Sequence, residues 1–538
     1  MKKIVIFFTC LAVSFLFECN IAIAQQFQCA MGTSARDWGK CIIQTSDGGY
    51  AVTGGVNSAG VWISSDIYVI KINANGNLMW NKTLSGTGYD EGYSIVQTND
   101  GGYVIAGISN SFGAGDFDGI LIKYNATGTL QWFRKFGGNG SVDMIFSVVK
   151  TTDGGFAVAG YTESFSDNPD VYIIRFNSDG IVLWSKTIGG TGIDQGKSIV
   201  QTNDGGFAVG GYTNSFGLAS LYVIKLDVSG NLQWTRTVGA TGKEWGESII
   251  QSSDGGYAIS GGYNVNSIDV SDLYLVKLNS AGNLQWTCVI DALDGESGRS
   301  LVQANNGNFI VAGMYYPYTG TSDAYVATIN SSGIFQTARK IGWSSYDFAN
   351  SITKTSDGGF AMTGSTISLG AGSYDVYVVK LDSYLGNCGN VMFGGTSSSS
   401  GISGSGGSIM TVFGSWTSVT DAVQGSAGYY TNICSLPGIK KIDENFPVTF
   451  SLLQNYPNPF NPVTSFKFQV PNLSNIKIDI FDMLGREVET LVNEQLRPGT
   501  YEAEWDASDY ASGIYFYQLV AQGTTDKFVM TKKMTLIK

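Results

Sequence analysis

A unit of about fifty residues recurs seven times along this chain, and a fixed period of that length confines the fold to a radial or solenoid array. Its marker is the turn Asp-Gly-Gly-Tyr/Phe at 47–50, 100–103, 153–156, 204–207, 254–257 and 357–360, with a worn copy, Asn-Gly-Asn-Phe, at 306–309. Each copy holds four short β runs, which in the fourth are 198–202, 207–212, 221–226 and 231–238. The residues between them (Asp-Gly-Gly, Asn-Ser-Phe-Gly, Asp-Val-Ser-Gly-Asn) supply turns that need φ > 0. Consecutive apolar residues such as Tyr222, Val223 and Ile224 suit a strand covered on both faces, as in stacked sheets. The pattern predicts an all-β chain whose residues 25–385 form a seven-bladed β-propeller.

The last copy ends without a fourth run, and the missing strand is found at the other end of the chain. Phe27-Gln28-Cys29-Ala30-Met31-Gly32, followed by Asp37-Trp38-Gly39, aligns without a gap on Trp234 to Gly239, followed by Glu244-Trp245-Gly246. An N-terminal strand that completes the seventh blade would remove the open edges of the array. Closure by that strand is therefore expected.

The segment 1–24 has a cationic start, an apolar stretch and small residues at Ala22 and Ala24, so it reads as a signal peptide cleaved between Ala24 and Gln25. No later stretch reaches membrane-spanning length, and no transmembrane span is expected in the mature protein. Residues 386–445 include a Gly/Ser-rich tract, and seven of the nine prolines follow Leu436, so 386–445 reads as a linker and 446–538 as a second domain. Cys388 and Cys434 bracket most of the linker. In an exported protein a disulfide between them is the expected state. Cys29, Cys41 and Cys288 fall on strands and read as packed small apolar groups.

Histidine is absent, which excludes Ser-His-Asp and Cys-His catalysis and the usual His-based zinc sites. No catalytic residue, metal site or cofactor is expected. A net charge of −12 argues against nucleic acid as a partner. Seven acids occupy one position of the repeat, just before the first run: Asp37, Asp90, Asp143, Asp194, Glu244, Glu296 and Asp347. A second set, Asp66, Asp118, Asp170, Asp272, Asp323 and Asp375, precedes the third run. The functional reading of the first set is a ring for a cation or a polyhydroxylated ligand; the structural alternative, favoured by the sevenfold repetition, is that each carboxylate fixes its own loop. Phe27, Trp80, Trp132, Trp184, Trp234, Trp286 and Phe335 recur on the fourth run and read as inter-blade packing. Aromatics that break the repeat, including Trp62, Phe112, Phe165, Phe216, Tyr316 and Trp343, are the better candidates for contact with a ligand.

Residues beyond 450 carry a family resemblance. Tyr456-Pro457-Asn458-Pro459-Phe460-Asn461-Pro462, then 478–488 (IDIFDMLGREV), Ser512-Gly513-Ile514-Tyr515-Phe516 and the closing 533–538 resemble, block by block, the type A C-terminal sorting domain of type IX secretion substrates. The resemblance implies an Ig-like β-sandwich read by the type IX secretion translocon and removed by its C-terminal signal peptidase. It also implies a Gram-negative host of the Bacteroidetes/Chlorobi kind, and a protein that is secreted or attached to the outer-membrane surface. The repeats resemble the DGGY-type propeller repeats of bacterial surface proteins. Their Leu278 to Trp286 segment is also similar to the tryptophan docking motif of quinoprotein propellers, without the features of a quinone site.

These readings converge on an adhesin-like binding propeller with a glycan or protein ligand. The alternatives are a carboxylate-dependent glycosidase or lyase on the same scaffold, and a structural surface-layer component.

Overall fold

The computed structural model describes 26–386 and 447–538 with side chains, apart from short stretches in loops, and the strands between 391 and 443 by their backbone. The signal segment, the Ala24–Gln25 cleavage site, Trp62, Trp343 and Cys388 lie outside the described residues, as does the side chain of Cys434.

The described chain is all β, built from repeated antiparallel four-stranded meanders. In the fourth copy the strands are Asp194–Gln201, Phe207–Thr213, Ser220–Leu226 and Leu232–Gly239, paired in chain order. The third strands are buried along almost their whole length on both faces. Each hydrophobic cluster of this region joins two successive sheets, as where Ala51, Ile67, Val69 and Leu84 meet Ile95, Tyr103, Ile105 and Ile120. This is the packing of a propeller, in which a sheet buries its faces on its neighbours.

The marker turn is explained by its carboxylate. Asp47 Oδ1 accepts from the Gly49 amide at 3.0 Å and from the Thr45 hydroxyl, while Gly48 takes a φ of +81° that other residues avoid. Beneath it lies the ammonium of Lys71 from the third strand, 2.9 Å from Asp47 and only 2% exposed. The same pair recurs as Lys123–Asp100, Arg175–Asp153, Lys225–Asp204, Lys277–Asp254 and Lys380–Asp357. In the worn sixth copy both partners have gone together: Asn306 stands for the acid and Thr328 for the base.

The strand-four aromatics pack between sheets, as expected. Trp80, Trp184, Trp234 and Trp286 meet the marker-turn rings Tyr103, Phe207, Tyr257 and Phe309 edge-on at 5.6–5.8 Å. Phe27 does the same to Tyr50. The N-terminal strand Phe27–Gly32 pairs antiparallel with Asp375–Leu381 and is wholly buried, and Phe27, Cys29 and Met31 share a cluster with Ile42, Tyr50 and Val52 of the first sheet.

The first strands of the sheets are stitched together. A serine at a β-bulge of six of the seven, where the first repeat has Cys41, accepts the backbone N–H of the next first strand: Ser94 from Val148, Ser147 from Ile199, Ser198 from Ile249, Ser248 from Leu301, Ser300 from Ile352 and Ser351 from Ile42, at 3.1–3.3 Å. The last of these stitches joins the seventh repeat to the first.

The segment expected to be a linker is not a bare spacer. Its strands Val391–Phe393, Thr396–Ser398, Ile402–Gly404, Ser408–Thr411, Ser415–Ser418, Val423–Gly425 and Tyr429–Cys434 each add an antiparallel fifth strand to one sheet. They take the sheets in reverse order, from the sixth to the first, and finish on the seventh against Phe27–Gly32. The physical reason is the unpaired outer edge of every fourth strand, whose N–H and C=O groups a passing backbone satisfies whatever its side chains.

Lys440–Asp443, Ser451–Leu452, Val463–Val470 and Gly499–Asp506 form one four-stranded sheet; Ser474–Phe481, Glu487–Leu496, Gly513–Gln522 and Lys527–Leu536 form another. Phe466, Phe468, Ile478, Trp505 and Tyr517 fill a shared core, giving a β-sandwich whose first strand begins at Lys440, ahead of the expected boundary at 446.

Candidate functional site

The repeated acids sit at the junctions between sheets. Asp37, Asp90, Asp143, Asp194, Glu244, Glu296 and Asp347 are all 0% exposed. Each opens or nearly opens a first strand, and its amide bonds a carbonyl of the preceding sheet, as from Asp37 to Tyr374 and from Asp194 to Pro169. The five aspartates among them accept from local loop groups: Asp37 from Thr33, Asp90 from Ser111 at 2.5 Å, Asp143 from Thr162 and Ser164, Asp194 from the Gly190 amide at 2.8 Å and Ser215, and Asp347 from Ser368. Such contacts answer to the loop-fixing alternative. The second set converges on the first: Asp375 and Asp37 both crowd Gly32, and Asp170 and Asp194 both crowd Gly189, where any Cβ would collide with a carboxylate oxygen. Burial pushes Asp37 up to about 6, against the Thr33 bonds, and pushes Asp90 up to about 6, with the charge of Asp66 adding to it.

The loop aromatics divide. Phe112 meets Phe133 edge-on at 5.1 Å and Phe165 meets Tyr172 at a tilt at 5.8 Å, both partly buried in the clusters between sheets. Phe216 lies 5.9 Å from Tyr222 and is 38% exposed. The Tyr316 hydroxyl reaches the Met314 sulfur at 3.0 Å. Phe112, Phe165 and Phe216 thus pack against strands of their own sheets, each following a serine that bonds one of the repeated acids.

A different set comes together. Three residues after each acid, the first strands carry Lys40, Tyr93, Phe146, Lys197, Glu247, Arg299 and Asn350. All are partly exposed, while the neighbouring small or apolar positions pack against the adjoining sheets. Consecutive members touch. The Lys40 ammonium lies 5.0 Å from the centre of the Tyr93 ring; Tyr93 meets Phe146 edge-on at 5.1 Å; the Lys197 ammonium stands 4.0 Å over Phe146. Further round, Arg299 Nη1 donates to Asn350 Oδ1 at 2.5 Å, and Asn350 Nδ2 donates to the Gly39 carbonyl at 2.7 Å.

Just above this row, one residue after each acid, are Trp38, Glu91, Met144, Gln195, Trp245, Ser297 and Phe348. Glu91, 1% exposed, is the most tightly held: it pairs with Lys40 at 3.2 Å and accepts from the Trp38 indole and, at 2.9 Å, from the Tyr89 hydroxyl. At the marker-turn end of the same strands a cavity of about 940 Å³ is lined by Gln44, Gln97, Asn99, Lys150, Thr353 and Lys354.

Sequence reasoning passed over these two rows although their signal was present. In a repeat whose turns, tryptophans and acids hardly vary, the positions one and three residues past the acid differ in almost every copy. Searching the repeat for what stays constant hides them.

Residues 454–534 match the family described as the secretion system C-terminal sorting domain, which marks the protein for export and the cell surface. A stretch of 119 residues, 22% of this chain, is 29% identical to the regulatory protein FlaEY of Caulobacter vibrioides, and it spans only 12% of that protein's length. Among solved structures, PorZ of Porphyromonas gingivalis, a bacterial surface component of the type-IX secretion system, aligns over 92% of this chain and 58% of its own, with 12% identity and a TM-score of 0.38. Sqt1 of Chaetomium thermophilum aligns over 68% of this chain and 86% of its own, with 12% identity and a TM-score of 0.40.

Proposed function

We propose that this protein is a binding propeller of the bacterial surface, exported by type IX secretion. Its ring is read as seven blades, closed by the N-terminal strand, and its ligand site as the wall formed by the first strands. The observation that carries the reading is the break of symmetry on that wall. A residue that serves folding alone is needed alike in every blade, as the buried acid before each first strand is. Lys40, Tyr93, Phe146, Lys197, Glu247, Arg299 and Asn350 instead present seven positions with six different side chains, which suits one asymmetric ligand.

Residues 446–538, with the strand at Lys440–Asp443, address the protein and take no part in binding. The mature chain starts at Gln25, in a host of the Bacteroidetes/Chlorobi kind.

Two measurements test this. Removing 533–538 takes the end from the strand Lys527–Leu536 and should hold folded protein in the periplasm, with no change in the ligand bound by the purified variant. Normal display of the truncated chain at the surface would refute the export reading. A screen of purified protein against glycans and surface proteins should give binding without turnover. Turnover would favour a glycosidase or lyase, and silence a structural component.

A further inference from the structure

The wall just described holds two cations, Lys197 and Arg299, that form no ion pair with any described residue, and Lys197 is the one without a hydrogen-bonding side chain beside it in this row. Lys40 is neutralised by Glu91 at 3.2 Å, and Arg299 is engaged by Asn350. Lys197 forms no ion pair with any described residue; its ammonium rests on the Phe146 ring, and its nearest support in charge is Glu247, beyond ion-pair distance. Burial and the neighbouring charge of Lys40 hold its pKa below the usual lysine value, against the pull of Glu247. An ammonium kept this way is in a poorer environment than water gives it, so an arriving anion recovers interaction that the folded protein forgoes.

Next to it, Phe146 and Tyr93 offer partly exposed aromatic surface, and Phe146 also meets Tyr161 at 5.9 Å. Beyond are Gln195, Asn350, Arg299 and Glu247, which between them donate and accept hydrogen bonds. A bare inorganic anion would satisfy Lys197 and leave the rings and amides unused. A neutral sugar would use the rings and amides and leave the cation unmatched. An acidic sugar uses all three: its anion on the ammonium, its C–H face on the rings, and its hydroxyls on groups of both hydrogen-bonding senses.

We propose that the arc Lys40–Tyr93–Phe146–Lys197 binds an acidic oligosaccharide, with Lys197 as the anchor of its anionic group. The inference rests on the reading of this protein as a surface binder. It adds the ligand's chemical class.

The test is calorimetric titration of the full chain with trigalacturonate, a sulfated heparin tetrasaccharide, neutral galactotriose and pentaglutamate. Trigalacturonate or the sulfated tetrasaccharide should bind, the tighter of the two identifying carboxylate or sulfate as the anion. Galactotriose should bind at least about tenfold more weakly than the better acid. Lys197→Met, which keeps the stem over Phe146, should lose about tenfold or more in affinity, and Lys197→Arg should stay within about threefold. Lys197→Gln serves as a second neutral variant, and both are compared at matched melting temperature. The proposal fails if the neutral variants bind as well as the parent, if galactotriose matches the acids, or if pentaglutamate is the tightest ligand. Binding of neutral glycans or proteins alone would overturn the acidic class and leave the surface-binder reading standing. Binding of nothing, on arrays as well as in titration, would overturn both.

Discussion

Asn350 donates from Nδ2 to the carbonyl of Gly39 at 2.7 Å, so a side chain of the seventh repeat holds the backbone of the first across 311 residues of sequence. The same amide accepts from Arg299, which makes it the hinge of a chain running through three sheets. Asn350→Ala should remove both bonds and lower stability by about 1–3 kcal/mol, with Arg299 losing its acceptor. Urea unfolding checks this. A variant as stable as the parent would show that the closing bond is matched by water.

The N-terminal strand pairs with Asp375–Leu381 on one side and Tyr429–Cys434 on the other, as the proposed closure requires. Deleting 26–32 exposes two edges and strips Phe27, Cys29 and Met31 from a shared core. Cooperative thermal unfolding should be lost or shifted down by well over about 10 °C. Melting of the truncated chain alongside the intact one would defeat the closure argument.

The marker turn sets a buried cation against a half-exposed carboxylate: Lys71 is 2% exposed and Asp47 52%. Asp47→Ala should therefore cost more than Lys71→Met, by about 1–2 kcal/mol, because it leaves the ammonium buried and unmatched, whereas the methionine leaves a carboxylate that water can reach. The double variant should recover part of the loss, as the Asn306/Thr328 pair of the sixth repeat suggests. A double-mutant cycle measures it.

Stability should peak in mild acid. Asp37 and Asp90 hold their protons up to about 6 in the folded state, from a normal value of 3.8, so the folded chain binds more protons between those limits and stability falls as pH rises through them. Asp100 shows the opposite case: its bond to Lys123 and its Thr98 contact lower it to about 2, so its contribution is lost as pH falls from about 4 toward 2. Melting temperature should thus be highest near pH 4 and decline on both sides. Asp37→Asn should flatten the upper limb; an unchanged profile in that variant would exclude Asp37 as a source of it.

A disulfide between Cys388 and Cys434 would close a loop of roughly 46 residues, worth a few kcal/mol. A non-reducing peptide map of exported protein should recover the two joined and Cys288 alkylatable after denaturation. Free Cys388 would refute the pairing.

What could be read beforehand was whatever recurs. The turn at 47–50, Trp80 and its equivalents, and the strand at 27–32 each betray themselves by matching other copies. The fifth strands did not, because a strand of three or four residues paired on one edge needs no alternating pattern. Thr396-Ser397-Ser398 has the composition of a spacer and pairs with Val289 to Asp291. The wall residues were hidden for the contrary reason: Lys197 and Phe146 occupy the same place in the repeat and share no chemistry.

The retrograde fifth strands also tie one late segment to every repeat. A segment made after all seven repeats must touch every one of them, and it ends by covering the strand that was made first. A stretch that touches all seven sheets thus leads into the sandwich at Lys440, so the two parts of the chain are joined through every repeat rather than through the last alone.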